Sequence, residues 1–175
     1  MKTTLMILFV SLASYLQAQV GGWNPEMEKD AEEALASMIE NTSRLQVFKD
    51  KAYGYAVYPK VTKAGVGIGG AAGKGIVYKS GEIVGSSKLK QGSIGLQIGG
   101  QQYSEVIFFK DQEAFENFTN GNLKFDAQAS AVALDEGASI DAAYNEGVAV
   151  FTQTLGGLMV EASVGGQHFT FDPLQ

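Results

Sequence analysis

At 175 residues, with a net charge of −6, 45% hydrophobic and 18% charged residues and no cysteine, the chain holds one core's worth of material and excludes disulfide and thiolate chemistry. Twenty-two glycines against three prolines describe a folded, strand-rich protein, not a disordered one. Charge is segmented: Gln19–Phe48 holds six acids and two bases, Lys49–Lys90 eight lysines and two acids, and Asp111–Gln175 ten acids and one base. Phosphate neutralisation needs a net positive footprint with groove-reading or stacking elements nearby, so nucleic acid is excluded as a partner.

In chain order, Lys2, an apolar run from Leu5 to Leu16 and the small Ala18 have the layout of a secretory signal peptide. The run is shorter than the roughly 20 residues that span hydrocarbon. Residues 1–18 are therefore expected to be cleaved, leaving 19–175 as a single exported domain, periplasmic or envelope-associated. Asn24-Pro25-Glu26 is a helix start, with a capping side chain, a proline where no amide bond is lost and an acid in the first turn. Met27, Ala31, Ala34, Leu35, Met38 and Ile39 follow at helical spacing and predict a core-facing stripe. Glu28, Glu32, Glu33 and Glu40 on its polar side argue against a membrane-surface helix, which favours lysine and arginine there. A second helix is expected from Ser43 through Leu45, Phe48 and Ala52, ending at Gly54.

The period then changes. Tyr53–Tyr58, Val66–Gly70, Gly75–Tyr78, Ile83–Leu89, Ile94–Gly99 and Ser104–Phe109 are β-branched and aromatic runs divided by glycines, which predicts successive hairpins. Asp111–Thr119, carrying Phe115 and Phe118 and followed by Gly121, predicts a helix of about two turns. Alternation from Leu123 to Ala133, then Val148–Leu155, Leu158–Val164 and His168–Phe171, completes the strands. The expected fold class is α+β: a curved antiparallel β-sheet, open or closed into a barrel, covered by N-terminal helices and one short mid-chain helix.

Catalytic motifs fail on inspection. Gly65, Gly67 and Gly70 fit G-x-G-x-x-G, but a strand follows where a dinucleotide fingerprint needs a helix. Lys74 precedes Gly75 where a phosphate loop needs Ser or Thr, and Gln91 replaces the first glycine of a nucleophile elbow around Ser93. His168, the single histidine, sits in a strand alternation and is expected to face solvent. Asp135 and Glu136, the nearest pair of acids, lack metal-ligand spacing. No enzyme, metal or cofactor is expected.

The string PKVTKAGVGIGGAAGKG (Pro59–Gly75), then GSIGLQIGGQQYSEVIFF (Gly92–Phe109) and a helix with Phe115, resembles the SYLF domain. This family occurs in eukaryotic endocytic and phosphoinositide-binding proteins and in exported bacterial proteins. The likeness runs from about Met27 to Phe171. It implies lipid binding, with actin binding in the fungal branch. In an exported protein the implied ligand is an anionic phospholipid or membrane surface. The lysine-bearing turns, Lys60, Lys63, Lys74, Lys79, Lys88 and Lys90, are the candidate lipid-binding residues. On a short-strand meander, Lys60, Lys63 and Lys79 share one end of the sheet and Lys74, Lys88 and Lys90 the other. The alternative is a structural or scaffolding module that binds a protein partner through an aromatic patch at Tyr103, Phe108 and Phe109. Adjacent Phe108 and Phe109 must point to opposite strand faces.

Overall fold

A computed structural model describes residues 24–123, 139–154, 157–159 and 166–174. The expected signal peptide (1–18) and most of the alternating stretch from Leu123 to Ala133 lie outside the described residues, as does the C-terminal part of the Leu158–Val164 run.

Helix α1 spans Pro25–Asn41, opened by the Asn24 side chain, which accepts from the Met27 backbone N–H at 2.7 Å. Its buried residues Ala31, Leu35 and Met38 form one stripe, as the spacing predicts. Helix α2 spans Arg44–Lys51 and buries Leu45 and Phe48; Ser43 precedes it but makes no side-chain capping bond. Helix α3, Gln112–Thr119, is capped by Asp111, whose Oδ1 accepts from the Ala114 N–H at 3.0 Å.

The six short strands expected before α3 are two long ones, β1 (Gly54–Lys79) and β2 (Glu82–Phe109), paired antiparallel along almost their whole length. One tight turn joins them, where Ser80 (φ 52°) and Gly81 (φ 85°) both adopt the left-handed conformation of a hairpin turn whose twist matches its strands. Most glycines read as turn signals instead lie in extended backbone within β1 and β2, and the described ones there show no positive φ. Their value is size. A Cβ on Gly75 would lie 2.5 Å from the Val57 carbonyl oxygen, and one on Gly54 would lie 2.7 Å from that of Tyr78. Residues 54–61 of β1 thus lie against residues 73–78 of the same strand: the long hairpin bends back on itself, with register shifts at Tyr58/Val61 and Gly65/Gly67.

Three short strands complete a five-stranded antiparallel sheet: β3 (Val148–Thr154), β4 (Gly157–Met159) and β5 (Gln167–Pro173). Strand β2 is central. It pairs β1 on one edge; β3 meets it at Tyr103–Phe109 and β5 at Gly85–Gln91. Among the described residues the path β1-β2-β3-β4 is not closed into a barrel.

Strand alternation gives the sheet two cores. One, under α1 and α2, gathers Leu35, Met38, Leu45, Phe48, Tyr55, Val57, Ile76, Tyr78, Val106, Phe108 and Phe151. Phe48 is its hub, with ring centroids 5.0 Å from Phe151, 5.7 Å from Phe108 and 5.6 Å from Tyr144. The other holds Tyr58, Val61, Val77, Leu89, Tyr103, Ile107, Phe109 and Phe169 under Phe115 and Phe118 of α3. Phe108 and Phe109 point to opposite faces, as expected, and both are fully buried. Helices on a curved antiparallel sheet make the fold α+β.

Candidate functional site

The register across β1, β2 and β5 assembles a basic face. Lys74 stands directly opposite Lys88, which stands opposite Thr170; in the next row Ala72, Lys90 and His168 align. Residues two apart on a strand share a face, so Lys74, Lys88, Lys90 and His168 project together, and all four are exposed. Opposed residues have Cβ atoms roughly 5 Å apart, a spacing at which like charges repel. Among the described residues, the carboxylate bonded into this face is that of Asp172, whose Oδ2 accepts from Lys88 Nζ at 2.9 Å. The three lysines expected to share an end do sit together, but their proximity comes from cross-strand pairing on a sheet face instead of from hairpin turns.

The other three do not join each other. Lys79, next to the hairpin turn, places its ammonium 5.0 Å from the centroid of the Tyr53 ring and pairs in register with Glu82. Lys60 is exposed beside Pro59, where the register shifts, at the rim of a cavity of about 600 Å³ also lined by Ser37, Gln102 and Gln153. Lys63 turns inward, only 7% exposed. The expectation of one end for Lys60, Lys63 and Lys79 is therefore corrected: the meander it assumed is replaced by two strands of 26 and 28 residues, and alternation after the Tyr58/Val61 shift aims Lys63 at the α3-side core.

That core carries a polar seam that sequence reasoning missed. Glu105 is fully buried and its Oε2 accepts from Gln167 Nε2 at 3.0 Å; the Tyr58 hydroxyl and Ser87 Oγ are hydrogen-bonded at 2.7 Å; Gln91 and Thr152 are also buried. Burial pushes the Tyr58 phenol well above its ordinary value, and the nearby Glu105 charge adds to the shift. The available signal was alternation: Glu105 lies between Tyr103 and Ile107 at an inward position.

Among the described residues, no three His, Cys, Asp or Glu side chains gather as a metal-holding group, and no helix is long and apolar enough to cross a membrane.

Residues 90–173 match the family described as Ysc84, Las17-binding protein actin regulator. Over this segment the chain is similar to the SYLF family. The matched segment contains Lys90, the buried Glu105, α3 and β5 with His168. The chain is also 29% identical over 159 residues to "Beta cell expansion factor A" of Aeromonas veronii, an alignment covering 85% of this chain and 60% of that protein. It thus spans about 60% of the length of the curated relative it matches. Neither the family description nor the relative's name is that of an enzyme.

Proposed function

We propose that this SYLF protein is a non-enzymatic, exported binding module that associates weakly with anionic phospholipid through Lys74, Lys88 and Lys90. The observation that carries the reading is the cross-strand register that sets three ammonium groups and His168 on one exposed sheet face, with Asp172 bonded to Lys88 as its one carboxylate among the described residues. Unopposed like charges are unfavourable for the free protein and are relieved by a surface of phosphates. Each lysine near an anionic bilayer contributes about 1 kcal/mol, and Lys88 less because Asp172 holds it, so the face gives roughly 2–3 kcal/mol, about two decades of partitioning. Such attachment is reversible. The envelope assignment rests on the leader-like first eighteen residues.

Cosedimentation of the protein with vesicles tests this. Vesicles containing phosphatidylglycerol retain it and phosphatidylcholine vesicles do not; raised salt and the double substitution Lys74→Glu/Lys90→Glu release it. Equal retention by both vesicle types would remove the proposal. A scaffold that grips a protein partner has the family's description on its side, but Tyr103, Phe108 and Phe109 are all buried, so the aromatic patch it required is not at the surface.

A further inference from the structure

The single histidine of the chain stands on the basic face, and the register places it among cations. Across β1, β2 and β5, two successive rows are Lys74–Lys88–Thr170 and Ala72–Lys90–His168. His168 is therefore directly opposite Lys90 and diagonal to Lys88, at spacings of roughly 5 Å and 7–8 Å. Lys74 lies one strand further, beyond Lys88. This end of the face is open: the next row holds Gly70 opposite Gly92, and a Cβ on Gly92 or on Gly166 would meet nothing within 4 Å.

A charge on this imidazole has no carboxylate beside it. Asp172 lies four residues along β5, about 13 Å away, and already accepts from Lys88. Helix α3 packs on the opposite side of β5, where the Phe118 ring is 5.4 Å from that of Phe169, so its acids Glu113 and Glu116 belong to the other face. Among the described residues no carboxylate forms an ion pair with His168. Imidazole gains its proton between about pH 8 and 5, while lysines stay charged and carboxylates, which ordinarily titrate near pH 4, stay ionised. Acidification across that window turns a face of three ammonium groups into one of four cations. The added charge meets Lys90 unfavourably in the free protein and is relieved by a surface of phosphates.

We infer that His168 makes the lipid-docking face responsive to pH: neutral, it leaves attachment to Lys74, Lys88 and Lys90; protonated, it adds a fourth cation and tightens the hold on an anionic bilayer. The inference rests on the docking proposal and names its regulation. Coupling of two binding events is reciprocal, so association with the bilayer takes up protons in the same window.

The protein is titrated with phosphatidylglycerol vesicles at pH 7.5 and at pH 5.5 at constant ionic strength, and the two partition coefficients are compared as a ratio. One further cation near an anionic surface should strengthen association about fivefold at the lower pH. His168→Gln, at an exposed strand position, should bring that ratio to about one. His168→Lys should also give a ratio of about one, because its association at pH 7.5 rises about fivefold to the acid value of the wild type. Calorimetry of vesicle binding in buffers of different ionisation enthalpy should show proton uptake by the wild type and none by His168→Gln. Persistence of the wild-type ratio in His168→Gln overturns the inference and leaves lipid docking standing. So does a wild-type ratio of about one with phosphatidylglycerol still preferred over phosphatidylcholine. Loss of that lipid preference at both pH values removes the docking proposal and this inference with it.

Discussion

Tyr58 is the side chain in which packing most changes chemistry. Its hydroxyl shares a hydrogen bond with Ser87, which lowers the phenol's pKa, yet full burial and the charge of Glu105 outweigh that bond and hold it well above 10.0. Tyr144, half-buried beside Phe48 and near Asp141, is pushed up to about 12. For both, the neutral form is favoured in the fold, so their contribution to stability is complete below pH 10.0 and is lost as pH climbs towards the folded values. Ultraviolet absorbance titration should find both phenols largely protonated at pH 11 in the native protein, with all seven tyrosines of the sequence ionising near pH 10 in denaturant. At the acid end, a hydrogen bond from Lys110 at 2.9 Å, its charge and the more distant Lys51 hold the exposed Asp141 carboxyl below its ordinary 3.8. That contribution is present above pH 3.8 and disappears as pH falls through the depressed value. Lys110→Met should therefore raise the Asp141 value towards 3.8, read by NMR titration of its side chain.

Among the elements, β1 depends on glycine for closeness rather than for turning. Gly75→Ala would drive a methyl group into the Val57 carbonyl oxygen at 2.5 Å and the Tyr58 ring at 2.7 Å, and a backbone atom cannot rotate aside. Chemical denaturation should show a loss of about 1–3 kcal/mol. Gly92→Ala is the control: a Cβ there meets nothing within 4 Å, and the change should be neutral or stabilise by a few tenths of a kcal/mol through the unfolded chain. The helices were legible because their signals are local. Asn24 caps α1 as expected, Asp111, read as the start of the third helix, proves to be its cap, and the α1 stripe of Ala31, Leu35 and Met38 is the buried one. The strands were legible as β but not as lengths, since a glycine that relieves a close approach and a glycine that turns the chain look the same in one dimension. Among the described residues, tight turns with positive φ at both central positions are made by Ser80-Gly81 and by Glu146-Gly147.

For the molecule as a whole, the lysine-rich middle of the chain becomes three separate environments. Lys74, Lys88 and Lys90 lie together on an exposed face, Lys60 and Lys79 stand apart from it, and Lys63 enters the core. Vesicle association should follow that division. Glutamate at positions 74 and 90 should abolish it and glutamate at position 60 or 79 should weaken it less. Lys63→Ala should lower thermal stability while leaving association near wild type. Salt should act on association steeply, because the screening length falls from about 10 Å at 0.1 M to about 3 Å at 1 M and the face is exposed.

The chain by itself determined its class, its helix starts, the inward stripe of α1 and the concentration of lysine in its middle third, because each follows from composition or from contacts between residues a few positions apart. Tertiary structure alone decided which lysines meet, that Glu105 and Lys63 are interior, that His168 from the last strand stands opposite Lys90, and that the Tyr78 hydroxyl is buried. The reason is that a side chain's neighbours across a sheet are set by register. A bend or a shift of one residue in a long hairpin reassigns every one of them without changing a single letter of the sequence.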